Sequence, residues 1–260
     1  MGVRFLVVDA LNLIRRVYAA TPEDEGPQHF EGALQASVQS LRRALRDVGP
    51  THAVSVFDGT EPTWRHELYG DYKAGRKPMP EVLREGLQQY RAAFKELGVS
   101  SVDKPELEAD DIAATLATKV AEHDGHAVIL STDKVYCQLI SDRITIRDHF
   151  LKQDLDRGYV IRKFGVGPEL LVDFWALAGN ASTHIPGVTG VGAKTAAKLL
   201  EEHGSLEGVL AGSEAVSGKL GERLRAGMEV ARMSGRLAGL RCDLELGWNL
   251  KMFRVVLQRE

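Results

Sequence analysis

The sequence predicts an α/β protein in which a parallel sheet carries helices on both faces, followed by a smaller all-α unit. Three observations point that way. Short runs rich in β-branched residues, RFLVVD, AVSVFD and AVILSTD, alternate with amphipathic helical patterns such as ALQASVQSLRRAL and DDIAATLATKVAEH. Such alternation is the signature of parallel strands joined by crossover helices. After DRGYVIRKFGVGPE the strand runs stop, and the remainder reads as short helices separated by glycines. The expected units are therefore residues 1–160 and 161–260.

Taken in order, the three strand runs each end in an aspartate: Asp9, Asp58 and Asp133. In open parallel sheets the carboxyl ends of strands are where ligands collect, so these side chains are expected to converge. Between the second run and GVSSV lies a segment of different character, with turn-formers and cations first and a helix expected from near Pro80. In it Lys73, Arg76 and Lys77 lie close together, with Arg65, Trp64, Tyr69 and Tyr72 interleaved. Cations for phosphates and rings for unstacked bases are the ingredients of a single-strand channel, while a solvated loop with its rings tucked inward uses the same residues.

The stretch EADD adds Glu108, Asp110 and Asp111 at the start of a helical pattern. Each acidic residue could merely cap a helix or suit its dipole. Carboxylates from four separate elements on one sheet edge, however, would raise one another's pKa unless a cation intervened. An all-oxygen donor set favours a hard ion, Mg²⁺ or its substitute Mn²⁺, over Zn²⁺. A site of that kind activates water and neutralises a phosphodiester.

The stretch IPGVTGVGAKTAAKLL comes within one residue of a nucleotide-binding loop, since Ala193 intrudes before Lys194 and Thr195. A helical pattern and not a strand precedes it, so no nucleotide cofactor is expected. Helix, glycine turn and helix instead form a hairpin whose second N-terminus, Gly190, Val191, Gly192, Ala193, Lys194 and Thr195, can hold a DNA phosphate; a purely structural turn is the alternative.

Composition sets the frame. The 260 residues are 44% hydrophobic and 27% charged, ordinary for a soluble globular chain, and the net charge of -3 leaves any nucleic acid to a local cationic patch. The apolar run at Phe5–Val8 is too short for a signal peptide or a membrane span. Cys137 and Cys242 lack the number and spacing of a disulfide framework or metal site, and a cytoplasmic location is expected.

Together, VVDALNLIRR, VFDG, YKAGRKPMPE, EADDIAATLA, STDK and LAGNASTHIPGVTGVGAKTA resemble the flap endonuclease and 5'-nuclease family, in its bacterial exonuclease IX (Xni) branch. The resemblance implies a PIN-like nuclease domain with a helical arch around 61–97, then a helix-three-turn-helix (H3TH) domain. It implies a first metal site at Asp9, Asp58, Glu108 and Asp110, with Asp111 adjacent and Asp133 surviving from a second site. Lys73 and Arg76 match the cations at the arch base. A K⁺ ion is implied at the carbonyls of Leu177, Ala178, Pro186, Val188 and Val191. The implied partner is DNA with a 5' flap or a single-strand/duplex junction, acted on by a monomer. Val135, Asn180 and Thr183 stand where the family pattern has carboxylates, which implies a weak second metal site and slower cleavage, or a protein that binds junctions and scarcely cuts.

Overall fold

The computed structural model describes residues 2–22 and 27–255; the last five positions of the expected second unit lie outside them. The chain runs β1 (Arg4–Asp9), α1 (Ala10–Ala20), α2 (Pro27–Val48), β2 (His52–Val56), α3 (Trp64–Leu68), α4 (Glu81–Glu85), α5 (Leu87–Glu96), β3 (Ser100–Val102), α6 (Ala109–Glu122), β4 (His126–Leu130), β5 (Ile144–Asp148) and β6 (Gln153–Leu155). It continues through α7 (Arg157–Phe164), α8 (Leu171–Ala178), α9 (Ala193–His203), α10 (Leu206–Ala211), α11 (Gly218–Ala226) and α12 (Met228–Ala238). The sheet has six strands in the order β3-β2-β1-β4-β5-β6. All pair in parallel except β6, which folds back antiparallel on β5.

Strand β1 shows why both faces are covered. Its side chains alternate, Phe5 and Val7 entering the core that contains α6 and Leu6 and Val8 entering the core that contains α1 and α2. Because β1 lies between β2 and β4, with Asp9 in register with Val56 and Val8 with Leu130, the chain segments bearing Asp58 and Asp133 leave the sheet on either side of Asp9. The order also reverses between β1 and β4, the place where open parallel sheets form a crevice.

The segment around 61–97 carries three short helices. Pro80 caps α4, where a helix start was expected, and Leu83, Tyr90 and Phe94 bury themselves in the α1–α2 core. Residues 69–80 are left as a non-helical span above the carboxyl edge of the sheet. The all-α part packs α8 against α12 and α9, and it shares one continuous core with the α6 face of the sheet.

One stretch departs from the expected run of short helices. Residues 240–249 contain no helix and lie along α6, with Thr115 Oγ1 donating to Arg241 O (3.1 Å) and Lys119 Nζ to Leu244 O (2.8 Å). Phe253 then stacks on Phe5 at 5.9 Å, and Val255 N donates to Thr51 O. The tail thus returns to the first unit, a long-range packing choice with no local signal.

His149, in the β5–β6 turn, has its pKa lowered to about 4, chiefly by burial and further by Arg16 and Lys134, against Asp148. Between about pH 4 and its ordinary value of 6.5 the unfolded chain binds the extra proton, so the stability contributed by neutral His149 is lost as pH falls through that window. In urea denaturation, the parent should lose about 2 kcal/mol more than His149→Gln between pH 6.5 and 4.5. Equal losses would show that this histidine is not held neutral.

Candidate active site

Four of the predicted acids line one cavity of about 360 Å³: Asp9, Asp58, Asp110 and Asp133. Each is fixed by its element. Asp9 ends β1 and caps α1, accepting from Asn12 N (3.2 Å), while Ser131 Oγ donates to its other oxygen at 2.8 Å. Asp58 accepts from Ala109 N at 2.8 Å, capping α6 from a different part of the chain. Asp133 caps the 3-10 turn Lys134–Leu139 through Val135 N (2.9 Å). Asp110, in the first turn of α6, accepts from Tyr136 Oη at 2.9 Å. Capping and convergence therefore coexist, because a carboxylate has oxygen to spare for both.

Burial and mutual repulsion crowd these carboxylates. Burial, then Asp110 and Asp58, push the Asp9 carboxyl well above the usual range, although Ser131 and Asn12 hold it down in part. Asp133 is raised by burial and by Asp110. Asp58, which keeps solvent contact at the cavity mouth, is raised by loss of hydration and by Asp110, against Lys73. The buried Tyr136 hydroxyl is pushed up by burial and by the same acids, so it remains a proton donor to Asp110. Hard oxygen donors that repel one another are a fit for Mg²⁺ or Mn²⁺. Among the described residues no three of them have closed to a shared coordination distance, as expected of like charges with only side-chain cations between them.

Two predicted ligands, Asp111 and Glu108, face side-chain cations. Asp111 is wholly buried, and Arg65 holds it from two nitrogens at 2.8 Å each, with Trp64 Nε1 and Arg241 N donating as well (both 3.0 Å). Glu108 accepts from Arg65 Nη1 (2.6 Å), Lys73 Nζ (2.9 Å) and, more weakly, Tyr72 Oη (3.3 Å). Both carboxylates are paired with side-chain cations. Arg65 corrects a second expectation. It is only 2% exposed, and it completes its set of donors on Leu237 O (2.9 Å) and Gly239 O (2.8 Å), so it is an internal counter-ion and not part of a strand-binding surface. Trp64 lies between the Arg65 and Arg241 guanidinium groups, and Tyr72 is buried, so neither ring is free to stack on a base.

The remaining cations do face the cavity. Lys73, Arg76 and Lys77 line it from the span above, and Arg15 and Arg16 line it from α1. The α1 arginines were not singled out in the sequence, although they follow Asp9 at the spacing that turns one helical face toward it. Burial works against the Lys73 charge, but Asp110 and Glu108 more than restore it. Lys73 sits at φ 55° and donates its backbone N–H to Thr183 O at 2.9 Å, and Arg76 Nε reaches Ser182 O at 3.3 Å. The span is thereby tied to the loop after α8.

That loop is the predicted hairpin. Gly179 and Gly187 hold positive φ, and a Cβ on Gly187 would strike the backbone nitrogen of Gly179, so the two arms of the turn can meet only through glycine. Gly192, Ala193 and Lys194 are exposed at the start of α9, whereas Val191 is buried. Ala196 N already bonds to Gly192 O, leaving the preceding first-turn amides as the helix's spare donors. Leu177 O accepts from Val188 N (2.8 Å) and Val188 O from Val191 N (2.9 Å), so both carbonyls are already engaged once. Asn180 Oδ1 accepts from Ser182 N and Oγ, closing a local turn.

Comparison with known proteins agrees with this architecture. Residues 4–165 match the 5'-3' exonuclease, N-terminal resolvase-like domain, and residues 166–259 match the 5'-3' exonuclease, C-terminal SAM fold. The chain is 45% identical over 260 residues to a flap endonuclease Xni of Pectobacterium carotovorum, covering 99% of this chain and 97% of that protein. To the flap endonuclease Xni of Serratia proteamaculans it is 46% identical over 259 residues, covering 98% and 99%. A solved structure of T5 5'-exonuclease with bound zinc superposes with a TM-score of 0.77 at 20% identity, over 92% of this chain and 90% of that one, a likeness of fold.

Two stability outcomes follow from the charge arrangement. In metal-free buffer at neutral pH, Asp9→Asn should raise thermal stability by roughly 1–2 kcal/mol, because a neutral isostere relieves the crowding, and excess Mg²⁺ should narrow the difference. A lower melting temperature for the variant would contradict the crowding. Arg65→Met should cost about 3–5 kcal/mol in urea denaturation, since Asp111 is then left charged and buried without a partner.

Proposed function

The chain belongs to the 5'-3' exonuclease family, and from that premise we propose that it is a metal-dependent flap endonuclease, hydrolysing DNA phosphodiesters at 5' flaps or single-strand/duplex junctions. The observation that carries this reading is the meeting of Asp9, Asp58, Asp110 and Asp133 in one cavity beneath Lys73, Arg76 and Lys77. A divalent ion held by Asp9, Asp58 and Asp110, Mg²⁺ with Mn²⁺ as its substitute, supplies positive charge to the scissile phosphate and lowers the pKa of a nearby water. Lys73, held by Glu108, and Arg76, held by Ser182 O, present charge to the same phosphate from above. Asp133 lines the same cavity.

The hairpin from Gly190 to Thr195 grips the duplex backbone through amides and Lys194. A K⁺ ion at the carbonyls of Leu177, Ala178, Pro186, Val188 and Val191 would stiffen that turn. The close approach of Gly179 and Gly187, which brings Ala178 beside Pro186, supports it. No helix among the described residues is long and apolar enough to cross a membrane. The proposed protein acts in the cytoplasm as a monomer and uses no nucleotide.

A second reading, a junction-binding protein that scarcely cleaves, draws on the commitment of Glu108 to Arg65 and Lys73 and on the neutral residues Val135, Asn180 and Thr183. Titrating Mn²⁺ against a labelled 5' flap separates the two: product at any metal level supports the nuclease, and binding without product supports the alternative.

Asp9→Asn and Asp110→Asn should each abolish Mg²⁺-dependent flap cleavage while changing flap affinity less than about threefold. Variants that cut as fast as the parent would remove the metal assignment. Replacing K⁺ by Li⁺ should weaken duplex binding beyond the general salt effect, which acts by counterion release and is similar for both ions; equal calorimetric affinities would remove K⁺.

A further inference from the structure

Asp133 forms part of two cavities. On one side is the carboxylate cavity; on the other is a second cavity of about 350 Å³ that shares Asn12, Arg16, Asp133 and Ser182 with it. Carboxylates become scarce across that wall. Asp133 is the one carboxylate lining the second cavity, against Arg16, Lys134 and Lys163.

The cations are not equivalent. Lys134 is spent, donating to Thr132 O at 2.7 Å and to Asp148 at 3.2 Å. Arg16 and Lys163 have no carboxylate partner among the described residues. Aromatic faces steady them instead: the Arg16 guanidinium lies 5.0 Å from the Phe150 ring centre, and Lys163 Nζ lies 5.8 Å from Phe164 and 5.9 Å from Tyr159. A ring face orients a cation without neutralising it or occupying its N–H donors. The neutral lining is equally telling. Val135 offers no donor oxygen, and the Asn180 oxygen is already taken by Ser182. One carboxylate is a poor holder of a hard divalent ion beside Arg16 and Lys163, neither of which pairs with a carboxylate among the described residues, whereas a tetrahedral oxyanion suits these cations.

Building on the nuclease reading above, we propose that this second cavity binds a backbone phosphate of the DNA strand next to the linkage being cut, with Arg16 and Lys163 as donors. The positive charge beyond Asp133 then comes from side chains and not from a second metal ion. Because the cavities share a wall, one strand can place consecutive phosphates in the two.

The test pairs a protein change with a substrate change. Single methylphosphonates are placed in turn at each linkage flanking the scissile one, and cleavage by the parent and by Lys163→Gln is measured in Mg²⁺. Lys163 is on the exposed side of α7, so the variant should fold. Lys163→Gln should cut the unmodified flap about tenfold more slowly. One neutralised linkage should slow the parent by at least a similar factor and Lys163→Gln by clearly less, since Arg16 still faces it, while every other linkage slows both proteins alike. Equal sensitivity of the two proteins at all linkages, or full activity of Lys163→Gln, overturns the proposal. So does anomalous density for a Mn²⁺ ion beyond Asp133 in a DNA complex. If the parent cleaves nothing at any metal level, the nuclease reading fails by itself; the same non-additivity, read in equilibrium affinity for the modified flaps, then supports or overturns the phosphate site.

Discussion

Six carboxylates, Asp9, Asp58, Glu108, Asp110, Asp111 and Asp133, stand around the carboxyl edge of one sheet, and each must be neutralised, hydrogen-bonded or left to repel the others. Removing such a group from water costs several kcal/mol unless a partner takes over from the solvent. Much of the tertiary structure around this edge is a set of answers to that demand. Arg65 answers for Asp111 and half of Glu108, and Lys73 for the rest of Glu108. Asp9, Asp58, Asp110 and Asp133 are left with partial answers, namely amides, hydroxyls and more distant cations.

That division separates stability from chemistry. The Arg65 cluster is buried and satisfied at every guanidinium donor, so it acts as a rigid pin. Asp9, Asp58 and Asp133 have raised pKa values because burial and mutual repulsion are not relieved, a condition that a bound cation relieves.

The same contacts join the two parts of the chain. Arg65, on α3, donates to carbonyls at the C-terminal end of α12, and the span after α3 donates from Lys73 and Arg76 to the loop after α8. The hairpin and the cavity are therefore fixed relative to each other through the backbone positions that also carry the cavity's cations. On the proposed reading, a duplex gripped at the start of α9 would sit at a set distance from Asp9 and Asp110, whatever its base sequence.

The sequence by itself determined the alternating strands and helices, the aspartates at three strand ends, the cation-rich span and the glycine hairpin, because each is a local pattern: periodicity, a strand terminus, a turn that needs positive φ. It also carried, through ordered motifs, the resemblance to the nuclease family. What it left undecided was how charges pair. Nothing in the neighbourhood of Arg65 distinguishes a DNA-facing cation from a buried one, and nothing in EADD says that Glu108 and Asp111 face arginine while Asp110 faces the cavity. Residues 43 and 46 positions apart, with α12 carbonyls 172 and 174 positions away, set those pairings. The return of the tail onto Phe5 and the positive cavity beyond Asp133 are of the same kind. Pairing of charges and closing of cavities depend on which distant surfaces meet, and only the packed tertiary structure decides that.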